Sequence, residues 1–465
     1  MDRRCLLIDD AEIESLSELQ RELGRPEKFA GNPVLRCECP WEMLGIQTYG
    51  TVIYDGEEDL FKLWYLTHAG PSDEIVKVDG VDRLANMTLL AYATSPDGVT
   101  WARPGLGQID FEGSRENNLL KIGRVNVEGA SVLLEPGEMD PSRRFKALYW
   151  EHGSGEITEM EDGTLLWGDG EGDGIWVSFS PDGVRWTNYP GNPVIPMGSD
   201  TGQSVVWDPG MNRYVAFGRF GAGGRKVARS ESPDFVHWSE PRLVLEPDDD
   251  DGPNTQFYGI SVTLYEGIYI GLLWVFHIEP GGHLGGGKDV GNIDIQLVSS
   301  RDGIHWDRVC ERQVFIPNGP SGSWDSRIIQ AACRFVTQGD RHLIYYNGAP
   351  YGHGRGRRRG NSQIGFATLR RDGFVCLSAG GRAGSMTTRA FRKPRGNLHL
   401  NIDASGGSTE IHYLDGRPDP LRSVKLTTDS VDLRPSWSGE PPREGDEIRL
   451  RFEMVNSKLY SYWFE

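Results

Sequence analysis

Ser180-Pro181-Asp182-Gly183-Val184-Arg185-Trp186 is the stretch on which the fold turns, because the same phrase recurs along the chain. It stands first as Ser95-Pro96-Asp97-Gly98 with Trp101. It returns as Ser232-Pro233-Asp234 with Trp238 and as Ser300-Arg301-Asp302-Gly303 with Trp306, and survives in worn form as Arg371-Asp372-Gly373-Phe374. In such a turn aspartate accepts backbone N–H groups, glycine supplies a positive φ, and tryptophan packs between neighbouring units. The turn residues are therefore read as structural, and five copies imply five repeated units.

Alternating segments precede the turns at 89–93, 175–179, 226–229, 293–297 and 363–367. More aromatic segments lie upstream at 61–65, 145–150, 214–217, 268–276 and 343–346, and a third set at 50–54, 130–134, 204–207, 260–264 and 331–335. A short fourth segment follows the first four turns: Leu119-Leu120, Val194-Ile195, Leu243-Val244 and Val314-Phe315. Four short strands per unit, with loops of unequal length, predict an all-β five-bladed β-propeller rather than a solenoid. After Phe374 the pattern changes to alternating stretches around Leu398–Asp403, 409–413, 448–452 and 459–463, parted by Gly, Pro and Asp, as in an antiparallel sandwich. The expected division is an N-terminal helix and lead-in over 1–31, with helical spacing at 12–23, a propeller over 32–380 and a C-terminal β-sandwich over 381–465.

Composition agrees. Sixty glycines, 14 tryptophans and 16 tyrosines in 465 residues suit many short strands and tight turns. The 67 acidic and 49 basic residues leave a net charge of −18, which repels nucleic acid and is indifferent to neutral sugars. No apolar run approaches the length of a membrane span, and the apolar stretch near the N-terminus is too short for a secretory signal. The cysteines at 5, 37, 39, 310, 333 and 376 form no C-x-x-C pair and are too sparse for a disulfide framework. Reduced thiols and a cytoplasmic location are the expectation, and no metal ligands are assigned.

Five four-stranded units, S-P-D-G-x-x-W turns and a C-terminal sandwich together resemble the glycoside hydrolase family 32 and 43 superfamily. The nearest likeness is to a branch labelled family 32 N-terminal-like, covering about Asn32 to Glu465. The family 32 motifs themselves are altered. The first-blade region reads Pro40-Trp41-Glu42-Met43-Leu44-Gly45-Ile46-Gln47-Thr48-Tyr49-Gly50, without N-D-P-N-G. Its second-blade counterpart is Arg124-Val125-Asn126-Val127-Glu128-Gly129-Ala130, and its third is Ser199-Asp200-Thr201-Gly202-Gln203. The resemblance implies a glycosidase without an organic cofactor, leaves a structural calcium open, and argues against sucrose-type activity.

Propeller geometry brings the starts of the innermost strands, and the ends of the second strands, to one funnel mouth. Glycoside hydrolysis needs two carboxyl groups flanking the bond. The strand starts supply Glu42, Glu128, Asp200 and Asp325 as catalytic candidates. Trp41, Trp150 and Trp324 are candidates for stacking on sugar rings, and Arg219 and Arg327 for binding hydroxyls or a carboxylate. Glu151, Gln256, Tyr258, His277 and Asn347 complete the expected substrate contacts. Arg355, Arg357, Arg358 and Arg359 sit in a glycine-rich loop after Asn347 that could meet an anion. The leading expectation is a hydrolase acting on an oligosaccharide or glycoside, a furanoside among the options. A phosphorolytic relative resembling family 130 and a non-catalytic sugar-binding propeller are the alternatives. The partner is a carbohydrate, with no nucleic acid and no membrane, and the oligomeric state is left open.

Overall fold

In four of the repeated turns the aspartate makes the same bonds. Asp97 Oδ1 accepts the N–H groups of Val99 and Thr100 at 2.8 and 2.7 Å, while Ser95 Oγ donates to it at 2.9 Å. Asp182, Asp234 and Asp302 repeat the set. Gly98, Gly183 and Gly303 take φ near 70–80°. In the third copy Phe235 adopts φ 72° instead, a strain offset by complete burial of its ring against Tyr214 and Trp238. The bond from Thr100, with that from Val99, holds the Asp97 carboxyl down to about 2. This contribution is present above the ordinary carboxylate range and is lost only as pH falls towards 2.

The computed structural model describes residues 4–71, 73–124, 126–152, 172–283, 289–354 and 362–465, and the backbone of Ile157–Glu159 and Leu165–Trp167. The fold is all-β, half strand and 2% helix. Antiparallel units follow one another, each beginning with the strand that becomes innermost: Gly45–Asp55, Val127–Leu134, Ser204–Asp208, Thr255–Tyr265 and Ile328–Ala331. The second strands are Leu60–His68, Phe145–Glu151, Arg213–Gly218, Ile268–Ile278 and Arg341–Ala349. The third are Leu89–Ser95, Gly174–Ser180, Val227–Ser232, Gly291–Ser300 and Gln363–Arg370. One parallel pairing, Ile293 with Ile328, joins the fourth and fifth units into a single sheet.

Two kinds of contact link the units in cyclic order. Each repeated turn packs on the preceding unit: Gly183 O accepts Trp64 Nε1–H at 2.8 Å, Phe235 meets Phe179, Trp306 meets Phe217, and Asp372 accepts Tyr265 Oη–H at 2.6 Å. The first turn packs on the fifth unit, where Tyr345 Oη donates to Gly98 O at 2.7 Å. Hydroxyls also join one innermost strand to the next. Val132 N–H donates to Thr51 Oγ1, Val205 N–H to Ser131 Oγ, and Val262 N–H to Ser204 Oγ, all at 2.9–3.0 Å. Ser261 Oγ donates to Ala331 O, and Cys333 N–H to Gly50 O, which returns the series to the first strand.

Some outer strands differ from expectation. Leu243-Val244 and Val314-Phe315 lie in strands, whereas Leu119 and Ile195 make only isolated bridges. The fifth unit takes its outer strand, Glu27–Lys28, from the N-terminal segment. The helix expected over 12–23 is instead two strands, Ile13–Ser17 and Leu19–Leu23, broken at Glu18 with φ 52°. The three- and four-residue spacing of Ile13, Leu16, Leu19 and Leu23 mimics a helix. These are edge strands, the first largely exposed and the second mostly half-buried, so burial imposes no period-2 alternation on them. They pair with Gly384–Thr388 and Val375–Ala379, each at the margin of a six-stranded sheet. The two sheets share one apolar cluster that includes Met386, Leu400, Ile411, Leu450, Phe452 and Leu459. Among the described residues no helix is long and apolar enough to cross a membrane.

Candidate active site

Glu128 opens the second unit's inner strand, where the register slips between Glu128 and Ser131 and Gly129 takes φ 66°. A Cβ at Gly129 would stand 1.9 Å from Gln203 Oε1 and 2.4 Å from Thr201 O, so only glycine fits. The inner strands of the first and fourth units slip in the same way, between Gln47 and Thr51 and between Phe257 and Gly259. Bulges at strand ends re-aim side chains, and three of them here lie at the same end of the ring.

The side chains that meet there form a connected set. Glu128 Oε2 lies 3.0 Å from His152 Nε2, and the His152 ring lies tilted against Trp150, 3.4 Å between centroids. Trp150 Nε1 donates to Asp173 Oδ1 at 2.6 Å. Arg219 donates to Asp200 Oδ2 at 3.2 Å and to Tyr258 O at 2.8 Å. The Tyr258 ring lies beneath both Arg219 and Arg225, 4.5 and 5.2 Å from their guanidinium carbons. Arg225 in turn donates to Gln256 Oε1 at 2.7 Å and to Asp289 Oδ2 at 3.1 Å. Tyr49 and Tyr258 also line a cavity of about 340 Å³ with Gln330, Asn347 and His353. A larger crevice of about 810 Å³ lies elsewhere, against Arg21, Arg370 and Tyr460, and contains none of the candidate carboxylates.

Two carboxyl groups here have different surroundings. The Asp200 side chain is 64% open to solvent, whereas that of Glu128 is 13% open. Asp200 nevertheless sits deep among protein atoms, and this desolvation, followed by the Glu128 charge, raises its carboxyl above the usual range. Arg219, His152 and Arg225 oppose the rise. Burial alone would lower the His152 imidazole. The hydrogen bond and charge of Glu128, with Asp173 and Asp200, overcome that effect and raise it. The arrangement sets a carboxyl that holds its proton more tightly than usual beside a second carboxyl engaged by His152, an asymmetry suited to acid–base chemistry.

Glu42 does not join this set. It is fully buried and accepts from Arg103 Nε at 2.9 Å, Tyr65 Oη at 2.7 Å and two backbone N–H groups. Asp325 is likewise withdrawn, its carboxylate held by Lys28 at 2.6 Å, Tyr346 Oη at 3.1 Å and Ser323 Oγ at 2.8 Å. Trp41 bonds Asn118 and packs on Phe111, and Trp324 stacks on Tyr346 over glycines 348 and 365. His277 bonds Asp294 on the strand face opposite Phe276, the residue that packs on Tyr258. Arg327 pairs with Glu279.

Glu151 and Asn347 support the site from behind. Glu151 accepts the N–H groups of Arg124 and Asn126, fixing the approach to Glu128. Asn347 bonds Thr48 and Gln330 across the first and fifth units. Arg355, Arg357, Arg358 and Arg359 lie outside the described residues. Arg225 and Asp173 were not anticipated. The glycine-rich run from Gly218 to Gly224, at the end of a second strand, is the sequence feature from which Arg225 is reachable. Among the described residues no group of three or more His, Cys, Asp or Glu is placed to hold a metal ion.

No family model matches the chain, and no curated protein matches it. Solved structures similar to it include a glycosyl hydrolase from Bacteroides ovatus, 13% identical, covering 75% of this chain and 94% of that one with a TM-score of 0.48. Another is a beta-1,2-mannobiose phosphorylase from Listeria innocua, 11% identical, covering 74% and 96% with a TM-score of 0.47. At that identity and score the likeness decides neither topology nor chemistry.

Proposed function

We propose that the chain is a glycosidase whose five units are the blades of a propeller, with the two C-terminal sheets forming a sandwich behind it. Asp200 is the proton donor and Glu128 the second carboxylate. The observation that carries this reading is the placing of the two carboxyl groups at one end of the units, Glu128 3.0 Å from His152 and Asp200 3.2 Å from Arg219, close enough that the Glu128 charge raises the Asp200 carboxyl. Asp200 gives its proton to the glycosidic oxygen as the C–O bond breaks. Glu128 supplies the electron pair to the anomeric carbon, directly or by taking a proton from a water that attacks it. Trp150 and Tyr258 offer ring faces, and Arg219 and Gln256 offer polar contacts to hydroxyls. All six cysteines are free thiols, which supports a reducing, cytoplasmic setting.

Hydrolysis is favoured over phosphorolysis by the state of Arg225. It is already paired with Asp289, so a phosphate arriving there would compete with a fixed carboxylate. A panel of oligosaccharides and aryl glycosides, assayed with and without inorganic phosphate, tests the reading. Reducing sugar is expected without phosphate. Product only in its presence would make the enzyme a phosphorylase, and no product with sugar still bound would make it a lectin-like propeller.

His152 gives a second test. Its raised imidazole stays charged through the acidic range, and that charge lowers the Asp200 carboxyl. Replacement by neutral asparagine removes the opposition. The basic limb of kcat/KM, which follows loss of the Asp200 proton, should then move to higher pH. A limb that stays in place or moves down would dissociate His152 from the acid.

A further inference from the structure

The opposite end of the ring holds a charge that nothing described so far uses. Arg334 follows the fifth unit's inner strand and reaches across to the third unit, where its Nη2 donates to Val205 O at 3.0 Å. Among the described residues that is its only hydrogen bond, its Nε–H is buried without an acceptor, and no carboxylate lies within ion-pairing distance of its guanidinium. A guanidinium stays protonated in proteins, so the positive charge is present and uncompensated. Burial pulls its acidity in the direction of proton loss, and the only opposing influence is the Cys333 thiol.

A cavity of about 440 Å³ adjoins it, lined by Val52, Tyr54, Glu57, Leu134, Arg334 and Thr337 among others. These residues lie where the inner strands of the first and second units end, whereas Glu128 and Tyr258 lie where inner strands begin. The cavity therefore belongs to the far end from the candidate active site. Two acids also border it, and both pair with cations other than Arg334: Asp55 with Lys62 at 2.9 Å and with Arg144, and Glu57 with Arg144 at 2.8 Å. Lys62 also pairs with Glu58, so three carboxylates share these two cations and neither cation is left for an arriving anion.

We propose that Arg334 and this cavity form a binding site for a small singly charged anion, a halide or a carboxylate the size of formate. Such an occupant would supply the missing counter-charge at the far end of the ring. Its effect would reach the inner strands through Cys333, which donates its N–H to Gly50 O and its thiol to Gln203 O at 2.8 Å. The site is thus a structural one, separate from substrate binding and independent of the glycosidase reading.

Soaking crystals of the unaltered protein in bromide and recording anomalous scattering tests the site directly. A bromide within hydrogen-bonding distance of the Arg334 guanidinium is expected, and its absence there at saturating bromide overturns the proposal. In solution, chloride-35 line broadening and the thermal midpoint should both respond to chloride, and formate should compete. In Arg334→Met both responses should fall to the background shared by any salt, and in Arg334→Lys the response should weaken. A chloride response in Arg334→Met equal to that of the parent would mean an adventitious ion only. Should Arg334→Met fail to fold, the bromide position in the unaltered protein decides alone.

Discussion

Asp200→Asn is expected to lower kcat on an unactivated glycoside by about 10²–10⁴-fold, the usual worth of a positioned general acid. The folded state should hardly notice. The Asp200 side chain is 64% open, the amide is isosteric, and its oxygen can still accept from Arg219. KM should change much less than kcat, because the lost interaction is made only as the leaving oxygen gains its proton. Leaving-group dependence separates this role from simple binding. An aryl glycoside with a good leaving group needs little protonation, so the same variant should retain most of its turnover on that substrate. Equal losses on good and poor leaving groups would remove Asp200 from the acid role.

The elements legible in the sequence were those determined over a few residues. An Asp-Gly turn carries its own hydrogen-bond acceptors and its own positive φ, so four of the five turns could be read directly, and the strands before them followed by alternation. What escaped was determined at a distance. Glu27–Lys28 is an outer strand because Gln363–Arg370 leaves an open edge, and two edge strands carry apolar spacing that mimics a helix. The same division runs through the site. Glu128, Asp200, Arg219 and Tyr258 lie near strand ends and could be placed at the mouth by topology. Asp325 looks equivalent in sequence, but its partner Lys28 is 297 positions away. Whether an acid at a strand mouth is free for chemistry depends on cations that local pattern does not reveal.

Glu42 is the clearest instance of that dependence, and its replacement carries the largest expected effect on stability. In Glu42→Ala the Arg103 guanidinium, a side chain only 15% exposed, would lose its buried counter-charge, and the Tyr65 hydroxyl and the N–H groups of Glu38 and Cys39 would lose their acceptor. Removing one partner of a buried ion pair costs about 3–5 kcal/mol, and the solvent-exposed Glu38, 3.3 Å from Arg103, remains to offset part of that. Chemical denaturation of the variant should show a loss towards the lower end of that range. The double variant Glu42→Ala/Arg103→Met should recover part of it, since the stranded charge is then gone. Neither change touches Glu128, Asp200 or His152, so turnover per folded molecule should equal that of the parent. Had Glu42 been a catalytic carboxylate, the pattern would reverse: a small change in stability and a collapse of kcat that the second substitution could not restore.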